Sequence, residues 1–252
     1  MAIPFTHKDV GHAEHHKLAS QIAEVFGWPL SEVFSTKSRK ALKIRNTTLT
    51  RILTKPFVVP AALLLGTLLT ILLALVQVVQ IPLGALPEDS MRLNATPVWH
   101  FMHVLGGATF GILGPLQFGR VLMRRYGRLH RVMGRVFVAA GAMIALSSLS
   151  LLWHFPDTYS VAVNVGRLLF GIALGVALAI AMQAIRERDF IRHRNWMIRA
   201  YAIGMGATAV TMLFFPIYAI TGEPPTGLAA DIIFLGSWTA CVVFAEGLVR
   251  RI

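Results

Sequence analysis

The sequence predicts an all-α polytopic membrane protein, a six-transmembrane-helix bundle with both termini cytoplasmic. Three observations carry that expectation. Hydrophobic residues fill 55% of the 252 positions and charged residues only 14%, where a soluble domain carries about 25% charged residues. The mean hydropathy is +0.63. The sparse charge is also clustered: long apolar stretches alternate with short arginine-rich ones, as in a chain that crosses a bilayer back and forth.

A crossing needs about 20 apolar residues. Six segments meet that need: Phe57 to Val79, Val98 to Phe118, Val132 to Trp153, Val161 to Ile185, Ile198 to Ile220 and Ala230 to Val249. The second and fifth are the least purely apolar, since they carry His, Gln, Tyr and several Gly. Pro60 sits in a first turn, where proline is tolerated. Pro115 and Pro216 lie nearer helix ends. Residues 1–56 form a polar, basic region ahead of the six-helix domain at 57–252. Leu18, Ile22, Val25 and Phe26 recur at helical spacing, so a short amphipathic helix is expected from about Ala13 to Phe26. Gly27, Trp28 and Pro29 end it. A basic run from Lys37 to Lys55 leads to the first span along the membrane surface.

The loops set the orientation. One side receives the basic N-terminal region, six arginines from Arg120 to Arg135, five from Arg186 to Arg199, and Arg250-Arg251. The other side receives Glu88, Asp89, Arg92, Asp157 and Glu223. Basic loops stay in the cytoplasm. The net charge of +12 therefore points to anionic lipid headgroups as partner. Nucleic acid is excluded, because the charges abut apolar spans. The lone Cys241 rules out an internal disulfide or a cysteine metal cluster. Neither a signal peptide, a Ser-His-Asp set, a phosphate loop nor a dinucleotide fingerprint is visible.

Ionisable residues inside spans are the functional candidates, because lipid makes them expensive. The histidines form two layers. His100 and His103 open the second span and His154 ends the third, towards one face. His130 and His193 precede the third and fifth spans, towards the other. Imidazoles from different helices near each face are what a haem-b cytochrome needs for electron transfer across the bilayer. The outer pair would be His103 with His154 and the inner pair His130 with His193. His103 and Gln117 are separated by about 21 Å at ~1.5 Å per residue, a workable spacing for two haems. Against this, His130-Arg131 and His193-Arg194 read equally well as headgroup contacts. Arg167, about two turns into the fourth span, either snorkels outward, pairs with Asp157 or Asp231, or binds substrate. Gln117 and Gln183 are expected to hydrogen-bond between helices. Glu246 is placed to partner an arginine of the inner loops. His12 and His16 share a helical face, but HExxH is absent and a solvated face is the simpler reading.

The residues His103, Gly114-Pro115-Leu116-Gln117-Phe118, Leu129-His130-Arg131, Gly134-Arg135, the stretch His193-Arg194-Asn195-Trp196-Met197-Ile198-Arg199-Ala200-Tyr201, and Ala245-Glu246 together resemble the bacterial membrane-protein family called domain of unknown function 2306. The resemblance spans the second to sixth helices, and the element built on His193, Arg194, Trp196, Met197 and Arg199 is its most specific part. It implies a multi-pass protein of a bacterial inner membrane, and draws attention to Arg131, Arg135, Arg194, Trp196, Arg199 and Glu246. The family often has an arginine late in the fifth helix, where Thr211 to Phe215 stand here. It also often has a Pro-Asn pair in the last, where Cys241-Val242-Val243 stand. Two functional classes follow: a haem-binding electron carrier, or a redox-inactive protein, either a small-solute transporter or an assembly partner for another membrane complex; the protein partner would be a second copy, in a homo-oligomer, or another membrane protein. A transporter is expected to have a polar cavity around Arg167, Gln117 and Gln183.

Overall fold

The computed structural model describes residues 58–86, 94–155 and 160–251, all within the C-terminal unit Pro56–Ile252. The expected amphipathic helix near Ala13, the basic run to Lys55, His12, His16 and Asp157 lie outside the described residues.

Seven helices and no strand occur among the described residues: α1 (Val58–Gln80), α2 (Pro97–Gln117), α3 (Arg120–Arg125), α4 (Gly127–His154), α5 (Val161–Arg186), α6 (Phe190–Thr221) and α7 (Gly227–Val249). Apart from the short α3, each matches an expected span. The helical ends differ most in two places. α4 starts five residues before Val132, and α6 starts eight residues before Ile198. Hydropathy reports what lipid accepts, whereas arginine is a good helix former, so the basic stretches are coiled into the same helices. His130 and His193 consequently stand on helical first turns, not in preceding loops. At 32 residues, α6 is about 48 Å long, well beyond the ~30 Å hydrocarbon core. Its arginine-bearing first turns must project past the lipid tails.

Five of these helices (α1, α4, α5, α6 and α7) are long and apolar enough to cross a membrane. α2 is not among them, although its 21 residues would reach about 31 Å. Two histidines, a glutamine and four glycines dilute its apolar character. Its large side chains are interior instead: Phe110 is buried, as are His100 and Val104.

Neighbours along the chain pack antiparallel. Pro60 meets Gly119, Ile71 seats on Gly111, and Gln77 bonds His100, so α1 and α2 run side by side over their full length. α2 and α4 do likewise, through Gln117 with Gly134, Gly106 with Ala140, and His103 with Ser147. Thus one end of the bundle collects the start of α1, the end of α2, the start of α4 and, through His193 and Ala181, the end of α5 and the start of α6. This is the arginine-rich end. α6 packs on α5 and α7 and touches α1 and α2. Its Ala200, Tyr201 and Ile203 join Phe110, Phe137, Ala140, Leu174, Ala177 and Leu178 in the main core.

The connections are locally specified. Ser160 caps α5, accepting from the Val163 N–H at 3.1 Å, and donates to Asp231 of α7 at 2.7 Å. Asp189 caps α6 by accepting from the Arg192 N–H at 2.9 Å. Short oxygen-bearing side chains are the usual means of satisfying these first-turn donors. Gly222 ends α6 in the left-handed region, φ 77°, where a Cβ would be unfavourable.

Candidate functional site

A cleft of about 380 Å³ opens between α1, α2, α4, α5, α6 and α7 in the half of the bundle away from the arginine-rich end. Its walls are largely aromatic and aliphatic, including Phe110, Phe170, Phe234 and Trp238. Small residues on α2 (Gly107), α5 (Gly171) and α6 (Gly204, Ala207) line it, and a Cβ at Gly107 would meet nothing. The ionisable groups in its lining are Arg167 from α5 and His103 from α2, close enough to influence each other electrostatically.

The hydrogen-bond pattern assigns Nδ1 of His103 as the donor. The Ser147 hydroxyl has one hydrogen. It lies 2.6 Å from the Met143 carbonyl and 3.1 Å from that of Ile144, so its hydrogen is committed to the backbone. The contact between Ser147 Oγ and His103 Nδ1 at 3.1 Å must then have the imidazole as donor. A neutral ring protonated at Nδ1 is left with Nε2 as a lone-pair acceptor. The cleft therefore combines a permanent cation with a base that can take a proton. Around them, Ser148 and Thr211 donate to backbone carbonyls of their own helices. Thr70 contributes a buried hydroxyl with no hydrogen-bond partner. His100 does not line the cleft; its Nε2 donates to Gln77 Oε1 at 3.2 Å.

At the floor, Phe110 stacks on Phe137 at 4.2 Å, and Tyr201 lies 5.9 Å beyond Phe110. Glycines make this stack possible: a Cβ at Gly204 or Gly141 would meet Phe110, and one at Gly114 would meet Tyr201. On the far side wall, Trp238 donates from Nε1 to the Ile203 carbonyl at 3.1 Å. Its indole occupies the space where a Cβ of residue 206 would be.

The other candidates sort into three places. His103 and Arg167 share the cleft. His154 is exposed at the end of α4, where its Nδ1 donates to the Ser150 carbonyl of the last turn at 2.8 Å. Ser147, the partner of His103, is two turns earlier on that helix, about 10 Å away along its axis. The two imidazoles thus have separate partners. At the arginine-rich end, His130 and His193 come within electrostatic reach of each other, and His193 Nδ1 donates to the Ala181 carbonyl at 2.8 Å. Gln117 lies over Gly134, while Gln183 bonds Glu187 at its own helix end, 2.8 Å away. Neither glutamine lines the cleft. Arg199 and Glu246 form a two-point ion pair across α6 and α7, with Nη2 to Oε2 at 3.0 Å. Trp196 stacks beneath that guanidinium at 4.8 Å. Arg131 lies near His130, and Arg194 reaches Asn195 beside it. Arg135 is exposed on α4.

Ser147, Gln77, Phe110, Thr208 and Trp238 went unnoticed in the sequence. Each is an unremarkable residue in an apolar stretch. Only the register between neighbouring helices (α1 with α2, α2 with α4, α6 with α7) brings it to a partner or to the cleft.

Comparison with known proteins gives one family-level match. The model of the family described as "Predicted membrane protein (DUF2306)" matches residues 100–249, from His100 in the first turn of α2 to the last residue of α7. No curated protein and no solved structure matches the chain.

Proposed function

The chain belongs to the DUF2306 family of predicted membrane proteins, and on that footing we propose that it binds a small organic anion in the α1–α7 cleft and carries it across a bilayer. The observation behind this reading is the placement of Arg167 and His103 on one cleft whose other walls are apolar. A cation at membrane depth is costly to maintain. A guanidinium has five donors in a fixed fork suited to a carboxylate, so it can hold a ligand alongside any partner of its own. His103 Nε2 supplies a proton acceptor next to it. Aromatic walls favour a carboxylate with an apolar body, and about 380 Å³ falls in the usual range for a small-molecule site, roughly 300–1,000 Å³.

In this reading α2 is the sixth crossing, because it accompanies two apolar helices along their full length. The arginine-rich end then faces the cytoplasm of a bacterial inner membrane, and the cleft faces outward. The test is binding and flux of radiolabelled benzoate and acetate with purified protein in proteoliposomes, with benzamide as the uncharged control. Benzoate should bind, benzamide should not, and Arg167→Gln should weaken benzoate by about tenfold or more, the worth of a charged hydrogen bond. No binding of either acid sinks the transporter reading and leaves the assembly-partner class.

A haem between His130 and His193 is the second reading. It is favoured by their proximity and by the Nδ1–H of His193 donating to a carbonyl, the usual support of a ligating imidazole. An absorption spectrum of haem-supplied protein, oxidised and then dithionite-reduced, decides it. Sharp reduced bands lost in His193→Ala would establish it, and a featureless spectrum would remove it.

A further inference from the structure

Among the described residues, the cleft is lined by a permanent cation and by no acid. Its other polar walls are neutral: Thr70 and Gln77 on α1, Ser148 on α4, Thr208 and Thr211 on α6, and Trp238 on α7. The charged and titratable groups facing His103 are Arg167 on α5 and His100 one turn away on its own helix. Asp231 of α7 is not part of the lining and accepts from Ser160 at 2.7 Å. A positive charge gained by His103 therefore has no lining carboxylate to balance it.

The hydrogen bond of the ring decides which atom can gain that charge. Nδ1 is turned to Ser147, which is completely buried and does not line the cleft. The two nitrogens of an imidazole point in nearly opposite directions, so the edge that His103 presents to the cleft carries Nε2. With Nδ1 as the donor, Nε2 is the lone-pair position and the atom that can take a proton.

Charge then couples two occupants of one space. In the empty cleft the Arg167 guanidinium repels a second positive charge, and strongly so away from water. A carboxylate on that guanidinium cancels the repulsion and has a second oxygen free to accept. An Nε2–H donated to it is a charge-assisted hydrogen bond, roughly twice as strong as a neutral one. Anion and proton each favour the binding of the other, and the coupling is reciprocal.

We propose that the cleft takes up its organic anion together with one proton, the anion held by Arg167 and the proton by His103 Nε2. This rests on the anion reading of the cleft and adds its second occupant. The proton comes from water on the side to which the cleft is open and returns to water when the anion leaves. No bond of the anion is made or broken.

The test is a titration of full-length protein in detergent with radiolabelled sodium benzoate, in weakly buffered solution at neutral pH, where benzoate stays ionised. A pH electrode counts protons and the label counts bound benzoate in the same sample. The native protein should take up about one proton per benzoate bound. Because the loaded form carries the extra proton, raising the pH should weaken benzoate binding, by up to about tenfold per pH unit. His103→Gln keeps a side-chain N–H for Ser147 but has nothing to titrate, so it should bind benzoate without proton uptake and with a flat pH dependence. Nitrogen-resolved NMR of the native protein, which needs no variant, should show both ring nitrogens of His103 protonated once benzoate saturates the cleft. Benzoate bound by the native protein without proton uptake overturns the proposal and leaves the anion reading in place. Absence of benzoate binding overturns both. Proton uptake that persists in His103→Gln also overturns the proposal, and its loss in His100→Gln would then give the proton to the neighbouring histidine.

Discussion

A serine has one hydrogen to give, and at position 147 that assigns the donating nitrogen of a histidine on another helix. With its hydrogen on the Met143 carbonyl, Ser147 can only accept from His103. Ser147→Ala should therefore strand a buried N–H, costing about 1–3 kcal/mol, and free the ring to change tautomer. Nitrogen-resolved NMR of labelled histidine should show the Nδ1–H form in the native protein and a mixture in the variant. A native ring protonated at Nε2 would contradict the assignment. The Arg199–Glu246 pair gives a second expectation at this scale. Both groups are partly exposed, 25% and 34%, so the pair is worth less than a buried one. Its fork geometry and the Trp196 stack are nonetheless specific to guanidinium. Glu246→Gln should lower stability by roughly 1–2 kcal/mol, and Arg199→Lys should behave nearly as badly as Arg199→Ala. Melting curves in detergent test this; a fully stable Arg199→Lys would argue that only the charge matters.

Among the elements, the glycines separate packing from vacancy. Spacing in the sequence marks Gly107 with Gly111, and Gly171 with Gly175, as small-residue contact pairs. The structure divides each pair. Gly111 seats Ile71 and Gly171 seats Ser148 and Leu149, but a Cβ on Gly107 or Gly175 would meet nothing. Gly107 lines the cleft, so its missing side chain leaves open volume rather than making a helix contact. The tightest approach is at Gly206, beneath the Trp238 indole. Spacing does not reveal this contact's partner, which is a single large ring on α7. Gly206→Ala should displace Trp238, break its bond to Ile203 and destabilise the bundle by about 1–3 kcal/mol, as overpacking does. Gly107→Leu should leave the melting temperature near that of the native protein and abolish benzoate binding by filling the cleft. Unchanged binding in Gly107→Leu would place the ligand elsewhere. Helix existence was legible in the sequence because lipid demands unbroken apolar runs. The extra turns of α4 and α6 were not, since arginine at the headgroup level satisfies water and helix equally. The site was legible only in its charged member, Arg167, and in His103; their neighbours depend on register.

For the whole molecule, the question is how many times the chain crosses. Composition alone favours five of the described helices, and α2 falls short through its histidines, glutamine and glycines. Packing argues for six. α1 and α4 both run antiparallel to α2 and hence parallel to each other, so if both cross a bilayer in that arrangement the chain returns between them. Between Gln80 and Gly127, α2 is the helix long enough to do so. The polar residues that weaken its hydropathy are turned away from lipid: His100 towards Gln77, His103 towards Ser147 and the cleft, Gln117 onto Gly134. A helix sheltered by neighbours needs less apolar character than one facing lipid. The two counts differ in an observable way, because an even number puts both termini on one face and an odd number on opposite faces. In a Cys241→Ser background, single cysteines at Ser38, Gly222 and Arg251 can be probed with a membrane-impermeant thiol reagent in sealed vesicles of known orientation. Six crossings require Ser38→Cys and Arg251→Cys to react from the same face and Gly222→Cys from the other. Reaction of the two terminal cysteines from opposite faces would mean that α2 does not cross, and the outward cleft built on His103 would go with it.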